Sequence, residues 1–517
     1  MSLGGVSVKE EIVLPYETKS LCPECLKIIP AEVYEENGKV MIKKVCDKHG
    51  EFVDVYWGDV EMFKKASRFA YDGKGIQNPI TEYKTCPFSC GLCNNHRSHT
   101  ALLNIVLTNR CDLACWYCFF YAKRAGYVYE PTLEQIIQMV RIAKNLKPVG
   151  CKAVQLTGGE PTLRDDLIDI IKAIKAEGIS HIQLNTNGIR LALQPDLAIK
   201  VREAGVNTVY LSFDGVDRKT NPKNIDEVPK ILENCRRAGL GITLVPTVIK
   251  TVNDHQLGDI IRFAAENIDI VRGVNLQPVS LIGRMSRKER EKFRITIPDC
   301  IKLIEEQTNG EISREDFYPV PSVVPISMFV EAITNRPQYA FTTHFACGAA
   351  TYVFKEGNKL IPITRFVDVE GLFEFLEEQA EVLKRSKIKS LRALKDLLDL
   401  RKFIDKEKAP KELNIAKILF EILIKHDYST LAEFHAKTLF IGMMHFQDLY
   451  NYDIARVQRC CIHYGTPDGR VIPFCAFNVL SDIYRDKIQE KYSIPLEEWE
   501  KRTGKKIKDE IYRVIAK

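Results

Sequence analysis

The chain has 517 residues and a formal net charge of +6, with 45% hydrophobic and 27% charged residues. That is the balance of an ordinary globular protein with room for two to four domains. Lys and Arg are interspersed with Asp and Glu, so no basic face calls for nucleic acid. Apolar runs such as VYLSF and GITLVPTVI fall far short of the roughly 20 residues a membrane span needs.

In chain order, the opening MSLGGVSVKEE carries acids where a signal peptide needs an apolar run. The expected location is the cytoplasm, with any lipid contact peripheral. Residues 1–75 read as a β-rich module, in which Asn37-Gly38 turns a hairpin between two alternating runs. Residues 76–98 form a loop punctuated by Pro and Gly. From 99 to 310 short apolar strands (ALLNIVLTN, AVQLTGG, HIQLNTNG, TVYLSFDG, ITLVPTVI, GVNLQPVS) alternate with helical patterns. This predicts an α/β unit with a parallel sheet, right-handed crossovers and ligands at the C-terminal strand ends. Residues 311–517 predict a mixed, largely helical region, with 320–345 irregular and RCCIHYGTPDGRVIPFCAFN a hairpin.

Sixteen cysteines without a secretory route point to metal rather than disulfides. Cys22, Cys25, Cys46 and His49 give C-x2-C…C-x2-H, suited to one tetrahedral ion, zinc or iron. Cys86, Cys90 and Cys93 share the spacing C-x3-C-x2-C with Cys111, Cys115 and Cys118. Three thiolates so spaced hold three irons of a cubane and leave the fourth open. An open iron can chelate the amino and carboxylate groups of S-adenosylmethionine (SAM) and pass it an electron. Only the Cys111 copy tops a strand, has an aromatic residue, Tyr117, before its third cysteine, and precedes Gly158-Gly159-Glu160-Pro161. It is therefore read as the SAM-cleaving [4Fe-4S] site, and the Cys86 group as an auxiliary [4Fe-4S] cluster completed by a ligand from elsewhere or left with an open iron.

In Thr466-Pro467-Asp468-Gly469 the Pro and Gly suit a three-residue loop that pairs Thr466 with Arg470. Counting back sets Cys461 opposite Cys475, with His463 beside them and Cys460 on the other face; a two-residue loop would exchange the two cysteines. With Cys347, this makes a second auxiliary cluster.

Residues 104–280 resemble the radical SAM superfamily. The resemblance implies a partial (β/α)6 barrel that generates a 5′-deoxyadenosyl radical and draws on a low-potential donor such as ferredoxin. By resemblance, Asn185, Asn187, Ser212 and Asp214 join Tyr117, Gly158, Gly159 and Glu160 in binding SAM, and Val274–Pro278 flanks adenine. Over nearly its whole length the chain resembles archaeal tetraether synthases, through CPECLKIIPA, CPFSCGLCNNH, CDLACWYCFFYAKRAG, QLTGGEPTLRDDL, HFACGAATYVF and CIHYGTPDGRVIPFCAFN. That resemblance implies an enzyme coupling terminal methyl carbons of isoprenoid chains on archaeal diether lipids, with two SAM consumed per bond. PVPSVVPISMFVEAITNRP, ILFEILI and TLFIGMMHF are segments that could line its apolar channel, and they read as well as ordinary core. The alternative is a radical SAM methyltransferase acting on a methanopterin precursor. Peptide maturation ranks third, because it calls for a denser cysteine array, and a simple electron carrier would not need GGEP.

Overall fold

The computed structural model describes residues 11–82, 84–116, 118, 126–282, 287–386, 399–410 and 438–515. Tyr117 and the ILFEILI segment lie outside them.

The N-terminal module is a four-stranded antiparallel meander: β1 Tyr16–Leu21, β2 Ile28–Glu36, β3 Lys39–Cys46 and β4 Gly50–Trp57. Asn37 and Gly38 take φ of 51° and 72°, the left-handed pair that a tight two-residue hairpin requires. Strand alternation turns Val33, Val40 and Ile42 inward, all fully buried.

The main sheet begins with six parallel strands: β5 Leu102–Thr108, β6 Ala153–Gly158, β7 His181–Thr186, β8 Thr208–Ser212, β9 Gly241–Val245 and β10 Val271–Pro278. They pair in sequence order. Amphipathic helices connect them, among them Leu133–Lys144, whose start is fixed by a capping box between Thr132 and Gln135. The apolar stripes of these helices cover the sheet: Ile136, Met139 and Val140 on one, Ile170, Ile171 and Ile174 on Leu167–Ala176.

The C-terminal region extends this same sheet at both edges. β12 Thr438–Met444 runs parallel to β10, and β11 Gly348–Glu356 pairs antiparallel to β12. At the other edge β13 Ile462–Gly465 lies parallel to β5 and carries β14 Val471–Pro473. The 462–473 hairpin has the expected loop: Thr466 N–H donates to Arg470 O at 3.0 Å and Gly469 takes a φ of 84°.

Two expectations change. The stretch expected to be irregular contains a helix, Val324–Thr334, started by Pro325 in its first turn. Of the apolar segments offered as a lipid channel, ILFEILI lies outside the described residues, 324–334 is largely core, and 440–446 partly lines a cavity. Phe329, Val330 and Ala332 of that helix are buried in one cluster with Leu372, Leu376, Ala380 and Leu383 of helix Val369–Arg385. β12 buries Leu439, Ile441 and Met443.

The N-terminal module docks on the segment that follows β12. Buried Arg294 is bound to Asp54 at 2.7 Å and to Asp448 at 2.8 Å. Lys44 Nζ donates to Ser20 Oγ (3.0 Å) and Leu449 O (2.6 Å). Asp453 accepts from Thr18 Oγ1 (2.8 Å) and the Tyr56 hydroxyl (2.7 Å).

Candidate functional site

At the C-terminal ends of the parallel strands a cavity of about 260 Å³ is walled by Cys111, Cys115, Cys118, Gly158, Gly159, Glu160, Asn185, Asn187 and Ser212. The cysteine loop stands on the end of β5. There Leu113 N–H donates to Cys111 Sγ at 3.4 Å, and Cys118 N–H to Cys115 O at 3.3 Å. Gly158 and Gly159 press the next strand end onto that loop. A Cβ on Gly158 would come within 2.2 Å of Thr108 O, and one on Gly159 within 2.0 Å of Arg110 O. Only glycine permits this approach.

Glu160 is buried and held by Thr162 N–H (3.0 Å), Thr162 Oγ1 (2.7 Å), Thr186 Oγ1 (2.7 Å) and Asn187 N–H (2.8 Å). Asn187 Nδ2 also donates to Asp112 at 2.6 Å. Burial first, and then the charge of Asp112, push the Glu160 carboxyl up to about 7. Glu160 has no ion-pair partner among the described residues. A buried carboxylate on the cavity wall with no ion-pair partner among the described residues, Glu160, fits an ammonium group such as that of SAM, with Asp112 behind it on Asn187. Three thiols on the same wall fit the cluster that would hold it.

Asp214 is not on this wall. Its carboxylate accepts from Thr247 N–H at 3.0 Å and pairs with Lys223 Nζ at 2.7 Å. Lys223, which also hydrogen-bonds Ser212 Oγ, reaches the cavity in its place. Sequence reasoning missed Lys223 because it sits in no motif. It also missed Asp112, although Asp112 directly follows Cys111.

A second cavity of about 340 Å³ adjoins the first and shares Leu102, Tyr210, Asn275, Met444, Phe446 and Ile462 with it. Cys347, Cys460, Cys461 and Cys475 all face it. The expectation that Cys460 points away is corrected. β13 begins only at Ile462, so strand alternation does not reach 460–461, and Cys460 closes the helix Ile454–Gln458 through its N–H to Val457 O. Cys475 likewise lies in a short helix, Phe474–Val479, rather than a strand. Burial pushes the Cys461 thiol up to about 12 and that of Cys475 to about 11, so a metal bound here would have to displace protons. His463 turns away, its Nε2 standing 3.2 Å from His96 Nε2. Of the Cys86 group, Cys90 is anchored by its N–H to the Tyr484 hydroxyl at 3.0 Å.

At the N-terminus, Cys22, Cys25, Cys46 and His49 come together. Cys25 Sγ and Cys46 Sγ are 3.9 Å apart, and His49 Nδ1 is 3.5 Å from both Cys22 and Cys46 Sγ. A tetrahedral ion with ordinary zinc bond lengths sets its sulfurs about 3.8 Å apart and its sulfur–nitrogen edges near 3.5 Å. The four ligands have that spacing. The Lys48 backbone N–H, acting with His49, draws the Cys46 thiol down to about 6, which favours the thiolate a metal needs.

The radical SAM superfamily model matches residues 105–264, and that of the HMPTM N-terminal zinc ribbon domain matches residues 14–58. The fold and site thus define a radical SAM enzyme with a ribbon module. The 7,8-dihydro-6-hydroxymethylpterin dimethyltransferase of Methanocaldococcus jannaschii is 50% identical over 497 residues, spanning 94% of this chain and 97% of that protein, and the chain belongs to its family. A "Probable GTP 3',8-cyclase" of Pyrococcus horikoshii is 37% identical over 180 residues, 34% of this chain and 56% of that protein. A crystal structure of HydG, a maturase of the [FeFe]-hydrogenase, overlaps 41% of this chain and 50% of its own at 15% identity and a TM-score of 0.34.

The pterin dimethyltransferase match corrects the lipid assignment. The full-length match is to a protein named for a pterin, not to a tetraether synthase, and the diether-lipid substrate, the tetraether-synthase resemblance and C–C coupling of lipid chains fall with it. Among the described residues no helix is long and apolar enough to cross a membrane.

Proposed function

We propose that the chain is a radical SAM methyltransferase acting on a methanopterin precursor of the 7,8-dihydro-6-hydroxymethylpterin type. The observation that carries this reading is the 50% identity along 94% of the chain to the pterin dimethyltransferase. The walls of the first cavity support it. Asn104, Gln155, Asn185, Asn275 and Gln277 offer amides, which match a heteroaromatic ring rich in donors and acceptors.

In this reading the six-stranded unit, residues 99–310, is a partial (β/α)6 barrel. It follows a metal module at 1–75 and an auxiliary-cluster loop at 76–98 and precedes the C-terminal cluster region at 311–517. Cys111, Cys115 and Cys118 would hold the [4Fe-4S] cluster, and SAM bound there supplies a 5′-deoxyadenosyl radical by one-electron reduction. Glu160 and Asn187 would receive the SAM ammonium, with Asp112 holding Asn187 from behind, while Lys223, held by Asp214 and Ser212, would meet its carboxylate. Gly158 and Gly159 let backbone close on the ligand. Cys86, Cys90 and Cys93 would hold one auxiliary cluster, Cys347, Cys461 and Cys475 with neighbouring Cys460 another, and Cys22, Cys25, Cys46 and His49 a single zinc or iron. A low-potential donor such as ferredoxin supplies electrons. Each methylation replaces a C–H bond by C–CH3, so it consumes a one-carbon donor besides the SAM that is cleaved.

The test is anaerobic incubation of reconstituted enzyme with SAM, a low-potential reductant and 7,8-dihydro-6-hydroxymethylpterin, read by mass spectrometry. The expected result is deoxyadenosine together with pterin heavier by one or two methylene units. Isotope in the SAM methyl group reports whether SAM is also the donor. Deoxyadenosine with unchanged pterin overturns the substrate.

A further inference from the structure

Arg456 lies in the short helix Ile454–Gln458, is 1% exposed and faces the second cavity. Its Nε–H donates to Cys347 Sγ at 3.3 Å, and its Nη2 to His445 O at 2.9 Å and Ala346 O at 3.5 Å. Nη1 has no hydrogen-bond partner among the described residues, and the guanidinium stands 5.5 Å from the centre of the Tyr56 ring. An arginine keeps its charge at any working pH, and a buried charge is tolerated only where an opposite charge meets it.

The protein shows elsewhere how it pairs a buried arginine: Arg294 is held between two carboxylates, Asp54 and Asp448. Arg456 has no carboxylate within ion-pair distance among the described residues, and none lines its cavity. The nearby Asp453 is taken up by Thr18 and Tyr56. What surrounds Arg456 instead is thiols: Cys347 in contact, with Cys460, Cys461 and Cys475 on the same cavity wall. These groups can balance the guanidinium only as thiolates, and a metal cluster is what keeps buried thiols deprotonated.

We propose that Arg456 is the counter-ion of an iron–sulfur cluster held by the C-terminal thiols and that it raises that cluster's reduction potential. The inference rests on the reading of this site given above. Reduction adds one negative charge to the cluster. A fixed positive charge with an N–H···S bond in a water-poor site stabilises the reduced form more than the oxidised one. Arg456 is thus a positioning and tuning residue.

The test uses full-length protein reconstituted with iron and sulfide, analysed for iron per chain and titrated redox-potentiometrically with detection by electron paramagnetic resonance. The signal missing from Cys347→Ala marks the C-terminal cluster. Arg456→Gln is expected to keep its iron while that cluster's reduced-to-oxidised ratio at fixed poise falls at least tenfold, a downward shift of about 59 mV for one electron. Arg456→Lys, which keeps the charge but loses the planar fork, should shift the same way by less. An unchanged ratio in an iron-replete Gln variant overturns the proposal. If the Gln variant fails to hold iron, the Lys variant decides, and an unchanged ratio there overturns it. A raised KM for substrate with an unmoved potential also overturns it, because the guanidinium would then serve an anionic group of the substrate. Cys347→Ala with undiminished iron removes the cluster reading itself, an outcome distinct from all of these.

Discussion

The ribbon site and the C-terminal thiol pocket both gather cysteines but are assembled in opposite ways. The ribbon's four candidate ligands fall between Cys22 and His49, two at the β1–β2 loop and two at the β3–β4 loop, and the meander alone brings neighbouring ligand atoms to 3.5–3.9 Å of each other. The C-terminal thiols lie between Cys347 and Cys475 and come from a strand start, a helix end and a helix start. They meet only because β11, β12 and β13 join the main sheet at its two edges. The ribbon site is built by local structure, while the pocket needs the whole sheet closed around it. The ribbon nevertheless clamps, through Arg294, Lys44 and Asp453, the segment 448–453 that lies between two walls of the pocket.

The largest expected effect separates the radical site from the ribbon. Cys115→Ala should abolish deoxyadenosine formation, measured by chromatography, while ribbon metal remains at one ion per chain by elemental analysis. Residual SAM cleavage at wild-type rate would move the cluster elsewhere. Next, Arg294→Met leaves Asp54 and Asp448 buried without their partner and should cost about 3–5 kcal/mol in urea unfolding. A change below about 1 kcal/mol would mean that the clamp is dispensable.

Glu160→Gln removes a charge from the proposed ammonium site. Losing one charged hydrogen bond, worth about 1.5–3 kcal/mol, weakens SAM binding roughly 10- to 100-fold by calorimetry. The pH dependence has a definite sign. Burial raises Glu160 from 4.5 to about 7 in the folded protein. Its stability contribution is therefore full below 4.5 and is lost as pH rises through about 7. In melts of SAM-free protein Gln should flatten that decline. SAM affinity should run the other way, tightening in wild type as Glu160 ionises across the same window. A Gln variant with the wild-type pH profile would remove Glu160 from the ammonium site. The smallest effect returns to the ribbon. Cys25→Ser should lower its metal content while changing the rate of SAM cleavage by less than about twofold, as for independent distant sites. A larger loss would show that ribbon metal reaches the barrel through the clamp.

What was legible in the sequence was what short-range physics decides. Alternation placed the parallel strands, and Asn37-Gly38 and Thr466–Gly469 named their turns. The C-x2-C…C-x2-H spacing assembled the ribbon ligands, and the cysteine loop with GGEP met on one cavity wall. Substrate was not legible, because the quoted motifs concern the radical and the clusters, and apolar stretches near them read equally as channel or core. Helix Val324–Thr334 turned out to pack as core.

Only the tertiary structure decided that Lys223 rather than Asp214 reaches the cavity and that Cys460 shares a wall with Cys461. The same holds for Arg456, which lies over Cys347 with no carboxylate in ion-pair range among the described residues. Each depends on where a strand starts, where a helix ends, or which distant side chain takes a carboxylate first. Those are settled by packing in the folded chain, for Arg456 and Cys347 across 109 residues, and no sequence motif encodes them.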